Sequence, residues 1–151
     1  MITNFLLADD DPDDVDLFGS ALKDIHESIA FHYALNGKDL IEKLQGDHGT
    51  PPQVIFLDVN MPEMNGWDCL ANLKNDEKLK DIPVVMYSTS SAKRDARNAI
   101  ELGAVCFYEK PSNYNQLKDF LKFLVYIEYL DRSVIEEHVR SGYFKNQKIF
   151  I

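Results

Sequence analysis

Short apolar runs alternate along the chain with stretches in which apolar residues recur every three or four positions. The runs Ile2 to Ala8, Ile29 to Ala34, Val54 to Leu57, Val84 to Tyr87 and Val105 to Tyr108 read as strands. Between them, five groups of residues fall at helical spacing: Val15, Phe18, Leu22 and Ile25; Leu40, Ile41 and Leu44; Trp67, Leu70 and Leu73; Ala92, Ala96, Ala99 and Ile100; and Leu117, Phe120, Leu121 and Leu124. Punctuation agrees with this division. Pro12 sits where the first helix can start, Asn36-Gly37 marks a turn, Pro51-Pro52 precedes the most apolar strand, and Gly103 stops the fourth helix. Five strands alternating with five helices predict a parallel sheet covered on both faces. Right-handed crossovers make a doubly wound α/β arrangement the natural solution.

The last part of the chain departs from this alternation. Phe123, Tyr126 and Leu130 form a second stripe on the fifth helix, beside the core stripe, and something is expected to cover them. Residues 131–151 carry Val134, Ile135 and Val139 at helical spacing, then Tyr143, Phe144 and a terminal Ile149-Phe150-Ile151. The expected division is a domain over residues 1–130 and an extension over 131–151, packed on the fifth helix or used for a partner or a homodimer.

Composition narrows the function classes. A chain of 151 residues fits one domain that needs no disulfide or structural metal. A net charge of −9 repels phosphate backbones and argues against nucleic-acid binding. Cys69 and Cys106 form no CxxC pair and read as buried thiols in a reducing compartment. No apolar run is long enough to span a membrane, and the strand-like start leaves no room for a signal peptide, so a cytoplasmic protein is expected. His26, His32, His48 and His138 show no metal-ligand spacing.

The chemistry is expected at the carboxyl ends of the strands, which in a parallel sheet all face the same rim. Asp9 and Asp10 follow the first strand, Asp58 the third, Ser88 the fourth, and Lys110 comes just after the fifth. Polar residues at strand ends are common because loops begin there. Complementary groups converging from four strands instead describe a site. Three crowded carboxylates repel, and Mg²⁺ is the hard cation that such oxygens suit. Asp58, at an ordinary carboxyl pKa of about 3.9, would be ionised and able to attack phosphorus without a general base. Lys110 and Mg²⁺ would neutralise the transferred oxygens, and the Ser88 hydroxyl would hydrogen-bond one of them.

These residues resemble a response-regulator receiver domain of two-component signalling. The resemblance spans about Ile2 to Tyr129 and rests on four strings in order: LLADDDPDD (Leu6 to Asp14), VIFLDVNMPEMNGWD (Val54 to Asp68), PVVMYSTS (Pro83 to Ser90) and YEKPSN (Tyr108 to Asn113). It implies a flavodoxin-like five-stranded sheet of order 2-1-3-4-5. It implies that Asp58 is the phosphoacceptor, that Asp9 and Asp10 bind Mg²⁺ with Asp58 and the Asn60 backbone carbonyl, and that Ser88 and Lys110 contact the phosphoryl group. It implies Phe107 as an aromatic switch acting with Ser88, and a cis Lys110-Pro111 bond. The implied donor is a phosphohistidine on a sensor histidine kinase or histidine phosphotransfer protein. The receiver is not a conventional enzyme but assists its own phosphotransfer and autodephosphorylation. The implied output surface is the fourth helix, fifth strand and fifth helix, with Lys93, Arg94 and Arg97 on the exposed side of that helix.

Departures also show. Thr89 stands where the family usually has a smaller residue, which would narrow access to Asp58. The resemblance implies that Asn60 and Ser90 occupy two positions that tune dephosphorylation, and neither is charged. A haloacid-dehalogenase phosphatase would need a second acid where Asn60 stands. A flavin phosphate would be repelled by the six aspartates between residues 9 and 16. The remaining rival is a receiver-like module that binds partners without being phosphorylated.

Overall fold

The computed structural model describes residues 1–46, 49–89 and 93–151; His48, Ser90 and Ala92 lie outside the described residues. The chain runs β1 (Asn4–Ala8), α1 (Pro12–Ile25), β2 (Ala30–Ala34), α2 (Gly37–Gln45), β3 (Val54–Leu57), α3 (Gly66–Asn75), β4 (Val84–Ser88), α4 (Lys93–Glu101), β5 (Cys106–Glu109), α5 (Tyr114–Tyr126), α6 (Arg132–Arg140) and β6 (Ile149–Phe150). The first five strands are parallel, as the alternation predicts, and lie in the order β2-β1-β3-β4-β5, as the resemblance implies. The expected five-stranded sheet is corrected in one respect. A sixth strand, β6, pairs antiparallel with β5, matching Phe107 to Phe150 and Tyr108 to Ile149. A parallel edge strand leaves backbone groups unpaired, and the returning C-terminus satisfies them: the Glu109 N–H donates to the Lys148 carbonyl at 3.0 Å.

Local chemistry starts the helices where the sheet needs them. Asp11, Asn36, Asn65, Asn113 and Asp131 cap α1, α2, α3, α5 and α6, each side chain accepting from a backbone N–H in the first turn. Such a cap contributes about 1 kcal/mol. Pro12 opens α1 with its φ already helical.

Side chains alternate across the central strands, so each strand feeds both cores. Phe5, Leu7, Phe56, Val85, Tyr87, Cys106 and Tyr108 face α1 and α5. Leu6, Ile55, Leu57, Val84, Met86 and Phe107 face α2, α3 and α4. The first face is aromatic: Phe18 meets Phe56 edge-on at 4.9 Å, and Tyr108 lies 4.0 Å from Phe120. Cys69 and Cys106 are free and buried, and burial pushes their thiols up to about 11 and about 12, so neither is a poised nucleophile.

Residues 131–151 join the α1/α5 core. Ile135, Phe144 and Ile149 are buried in it, and Phe144 meets Phe123 edge-on at 5.0 Å. The Arg132 guanidinium donates to the Ala104 carbonyl at 3.1 Å. Of the second stripe expected on the fifth helix, Phe123 is buried and Tyr126 remains 53% exposed; α5 ends at Tyr126, so Leu130 lies beyond it, half-buried in the segment before α6. Removing residues 131–151 is therefore expected to cost roughly 5 kcal/mol or more, at ~1.5–3 kcal/mol for each buried large side chain. A urea midpoint unchanged by that truncation would show that the segment contributes nothing to stability.

Candidate functional site: an acidic rim with one ammonium

The sheet ladder itself assembles the site. The Asp9 N–H donates to the Ala34 carbonyl at 3.0 Å and the Asp58 N–H to the Ala8 carbonyl at 2.9 Å, so both acids stand at the first position beyond paired strands. The Lys110 N–H donates to the Ser88 carbonyl at 2.8 Å, which fixes the fifth strand's end against the fourth's. Asp9, Asp10 and Asp58 bring carboxylate oxygens within 4.8 Å of one another. Lys110 Nζ lies 2.8 Å from Asp9 Oδ2 and 3.5 Å from Asp58 Oδ2. The bond preceding Pro111, expected cis, is trans, and Lys110 still reaches the acids.

The loop after β3 is shaped by a close backbone approach. The Gly66 N–H donates to the Val59 carbonyl at 2.9 Å, and a Cβ on Gly66 would lie 2.2 Å from the Asp58 carbonyl oxygen. Only glycine lets α3 start this near the acid it follows. Asn60 is exposed, two residues past Asp58. Ser88 is fully buried. Strand alternation puts it on the face of Met86, and Met86 is the register partner of Phe107. Phe107 is also fully buried, and Phe150 of β6 lies 6.2 Å from it, edge-on. The β5 edge is therefore not free, and the output surface expected from α4, β5 and α5 has β6 laid along it. Thr89, Lys93, Arg94 and Arg97 are exposed.

Two residues at this rim escaped the sequence reading. Asp14, in the first turn of α1, accepts a hydrogen bond from Lys110 Nζ at 2.8 Å. Tyr87 presents its ring 5.4 Å from the same ammonium. The available signal was Pro12, which places Asp14 in the first helical turn, close to the strand ends that the helix has just left.

Burial governs the electrostatics. It raises Asp9 to about 6, against the opposing pull of Lys110 and the Asp11 N–H. It also raises Asp58, with Lys110 and the Asn60 backbone N–H acting the other way and Asp10 adding to the rise. The ordinary carboxyl pKa expected for Asp58 is thus corrected. Burial alone would lower Lys110, but its contacts with Asp14 and Asp9 and the charge of Asp58 outweigh that and raise it. Asp9 Oδ2 is buried and close to Lys110, yet no hydrogen-bond donor is aligned on it. A buried carboxylate oxygen without a directed donor, beside two more carboxylates, fits a hard divalent cation.

The raised Asp9 pKa carries a stability consequence. Below its unfolded value of 3.8 the buried neutral carboxyl costs little, and that advantage is lost as pH rises through about 6. Asp9→Asn mimics the neutral form. In metal-free buffer it is expected to stabilise the protein by up to about 3 kcal/mol at pH 8, at ~1.4 kcal/mol per unit, and by little at pH 4. Thermal melts with a chelator present check this; a gap that widens as pH falls would reverse the sign.

Residues 5–122 match the sequence model of the response regulator receiver domain. Response regulator Rcp1 of Synechocystis sp. is 34% identical over 128 residues, covering 82% of this chain and 84% of that protein. A crystal structure of the phosphorylated cyanobacterial phytochrome response regulator RcpA superposes with a TM-score of 0.73 at 29% identity, over 82% of this chain and 91% of that one. The Mn²⁺-bound form of Rcp1 superposes with a TM-score of 0.66 at 30% identity, over 80% and 89%. Among the described residues no helix is long and apolar enough to cross a membrane. A doubly wound sheet, an acidic rim facing one lysine and a family match over most of the chain agree: this protein belongs to the response regulator receiver domains, the phosphorylated signalling modules of two-component systems.

Proposed function

We propose that Asp58 takes the phosphoryl group from a phosphohistidine on a sensor histidine kinase or histidine phosphotransfer protein in the cytoplasm. Asp9, Asp10, Asp58 and the Asn60 backbone carbonyl would hold Mg²⁺ during the transfer. The observation that carries this reading is the three-carboxylate cluster with a lysine ammonium 3.5 Å from Asp58. Rcp1 binding Mn²⁺ supports an ion at the same kind of rim. When bound, Mg²⁺ supplies positive charge against the phosphoryl oxygens.

The chain's own residues do the rest. An Asp58 carboxylate oxygen attacks phosphorus, the phosphorus–nitrogen bond of the donor breaks, and the imidazole leaves as the neutral ring after taking a proton from solvent. Lys110 neutralises one transferred oxygen and Ser88 hydrogen-bonds another. Drawing Ser88 inward opens space on the face it shares with Phe107, and movement of that ring carries the signal to the surface of α4, α5 and the β6 strand paired along the edge of β5. The same machinery later admits water to release phosphate slowly. In this reading residues 1–130 are the receiver and 131–151 an extension that borders the output surface.

Incubation with a radiolabelled phosphohistidine protein tests the proposal. Label is expected to move to this chain with Mg²⁺ and not with a chelator. A chain that binds such partners but stays unlabelled under both conditions would instead be a phosphorylation-independent module.

A further inference from the structure

Lys110 is shared among three acids, and the sharing is uneven. Its ammonium is 2.8 Å from both Asp9 Oδ2 and Asp14 Oδ2 and 3.5 Å from Asp58 Oδ2. The contact with Asp14 has hydrogen-bond geometry, whereas Asp9 Oδ2 has no aligned donor. Asp14 lies outside the three-carboxylate cluster and comes from a different element, the first turn of α1. Its side chain is 28% exposed, while those of Asp9 and Asp58 are 0% and 9% exposed. Water can therefore take over its oxygens when the lysine leaves, which it cannot do as readily for the buried acids.

From this geometry we infer that Asp14 is a positioning residue for Lys110: it holds the ammonium in its resting place and competes with the incoming phosphoryl oxygens for it. The inference rests on the proposed phosphorylation of Asp58. Lys110 closes the remaining distance to a phosphoryl group on Asp58 against the pull of its charge-assisted hydrogen bond to Asp14, so the phosphorylated state is weakened by whatever part of that bond is stretched. The partial exposure of Asp14 keeps the penalty modest, and its carboxylate recaptures the lysine once phosphate departs. Asp14 thereby biases the switch toward its resting state without touching the metal or the reacting atoms.

The test uses beryllofluoride, a phosphoryl mimic, with Mg²⁺ on the full chain, read by the fluorescence of Trp67, which lies beside Gly66 at the start of α3. Asp14→Asn keeps the shape and removes the charge. It is expected to bind beryllofluoride about threefold to tenfold more tightly than wild type, the range for losing one partly exposed charge-assisted contact. Mg²⁺ affinity alone should change less, and Asp14→Glu should restore wild-type beryllofluoride affinity. Wild-type NMR supplies a readout independent of any variant's folding: the Asp14 ¹³Cγ and Lys110 ammonium resonances should both shift when beryllofluoride binds. Equal or weaker binding by Asp14→Asn, or an Asp14 ¹³Cγ resonance that does not move in wild type, overturns the positioning role. A wild-type chain that binds no beryllofluoride and takes no label from a phosphohistidine donor overturns the functional reading itself.

Discussion

Asp58→Asn is expected to lose all labelling from a phosphohistidine donor while remaining folded. An amide oxygen is a far weaker nucleophile than a carboxylate and cannot form an acyl phosphate. The substitution keeps the side chain's size in a site where only 6% of the residue is exposed, and it relieves the crowding of carboxylates, so stability should hold or rise in metal-free buffer. Lys110→Ala gives a useful contrast. It removes one electrostatic contact to the transferred group and leaves the nucleophile in place, so labelling should slow on the order of 10²-fold rather than vanish. If Asp58→Asn labelled at the wild-type rate, another side chain would be the acceptor.

Gly66→Ala is the second large effect. The new methyl would sit 2.2 Å from the Asp58 carbonyl oxygen and 2.9 Å from Val59 Cα, and neither neighbour is a flexible side-chain tip. The loop must move, and the piece that moves carries the phosphoacceptor. A loss of ~3 kcal/mol or more is expected from such backbone displacement, together with weaker Mg²⁺ binding and slower labelling. Gly142→Ala is the control. Its φ of +78° strains an alanine, but nothing lies within 4 Å of the added atom, so the cost should stay near 1 kcal/mol. Urea midpoints and Mg²⁺ titrations decide the comparison, and equal effects at the two glycines would remove the case for a close approach at Gly66.

The rim residues were legible in the sequence because a parallel sheet sends every strand's carboxyl end the same way. Asp9, Asp10, Asp58, Ser88 and Lys110 each follow an apolar run directly or within two residues, so finding the strands located the acids. Asp14 was not legible on those grounds. It follows no strand, it is one of six aspartates between residues 9 and 16, and only the packed direction of α1 distinguishes it from Asp13 and Asp16. Strand β6 was hidden for another reason. Two residues are too few to show a period, and Ile149 and Phe150 pair with β5 only because the intervening chain brings them back to an open edge. The pKa values of Asp9 and Asp58 depend on burial that composition cannot report.

The central claim is that one carboxylate at the end of β3 becomes an acyl phosphate, and chemical mapping reaches it most directly. Borohydride reduction converts a phosphorylated aspartate to homoserine, which peptide mass spectrometry locates. After transfer with Mg²⁺, the account requires homoserine at residue 58 alone. Homoserine at residue 9, 10, 11, 13, 14 or 16 instead, or none in a chain that carries label, would contradict it.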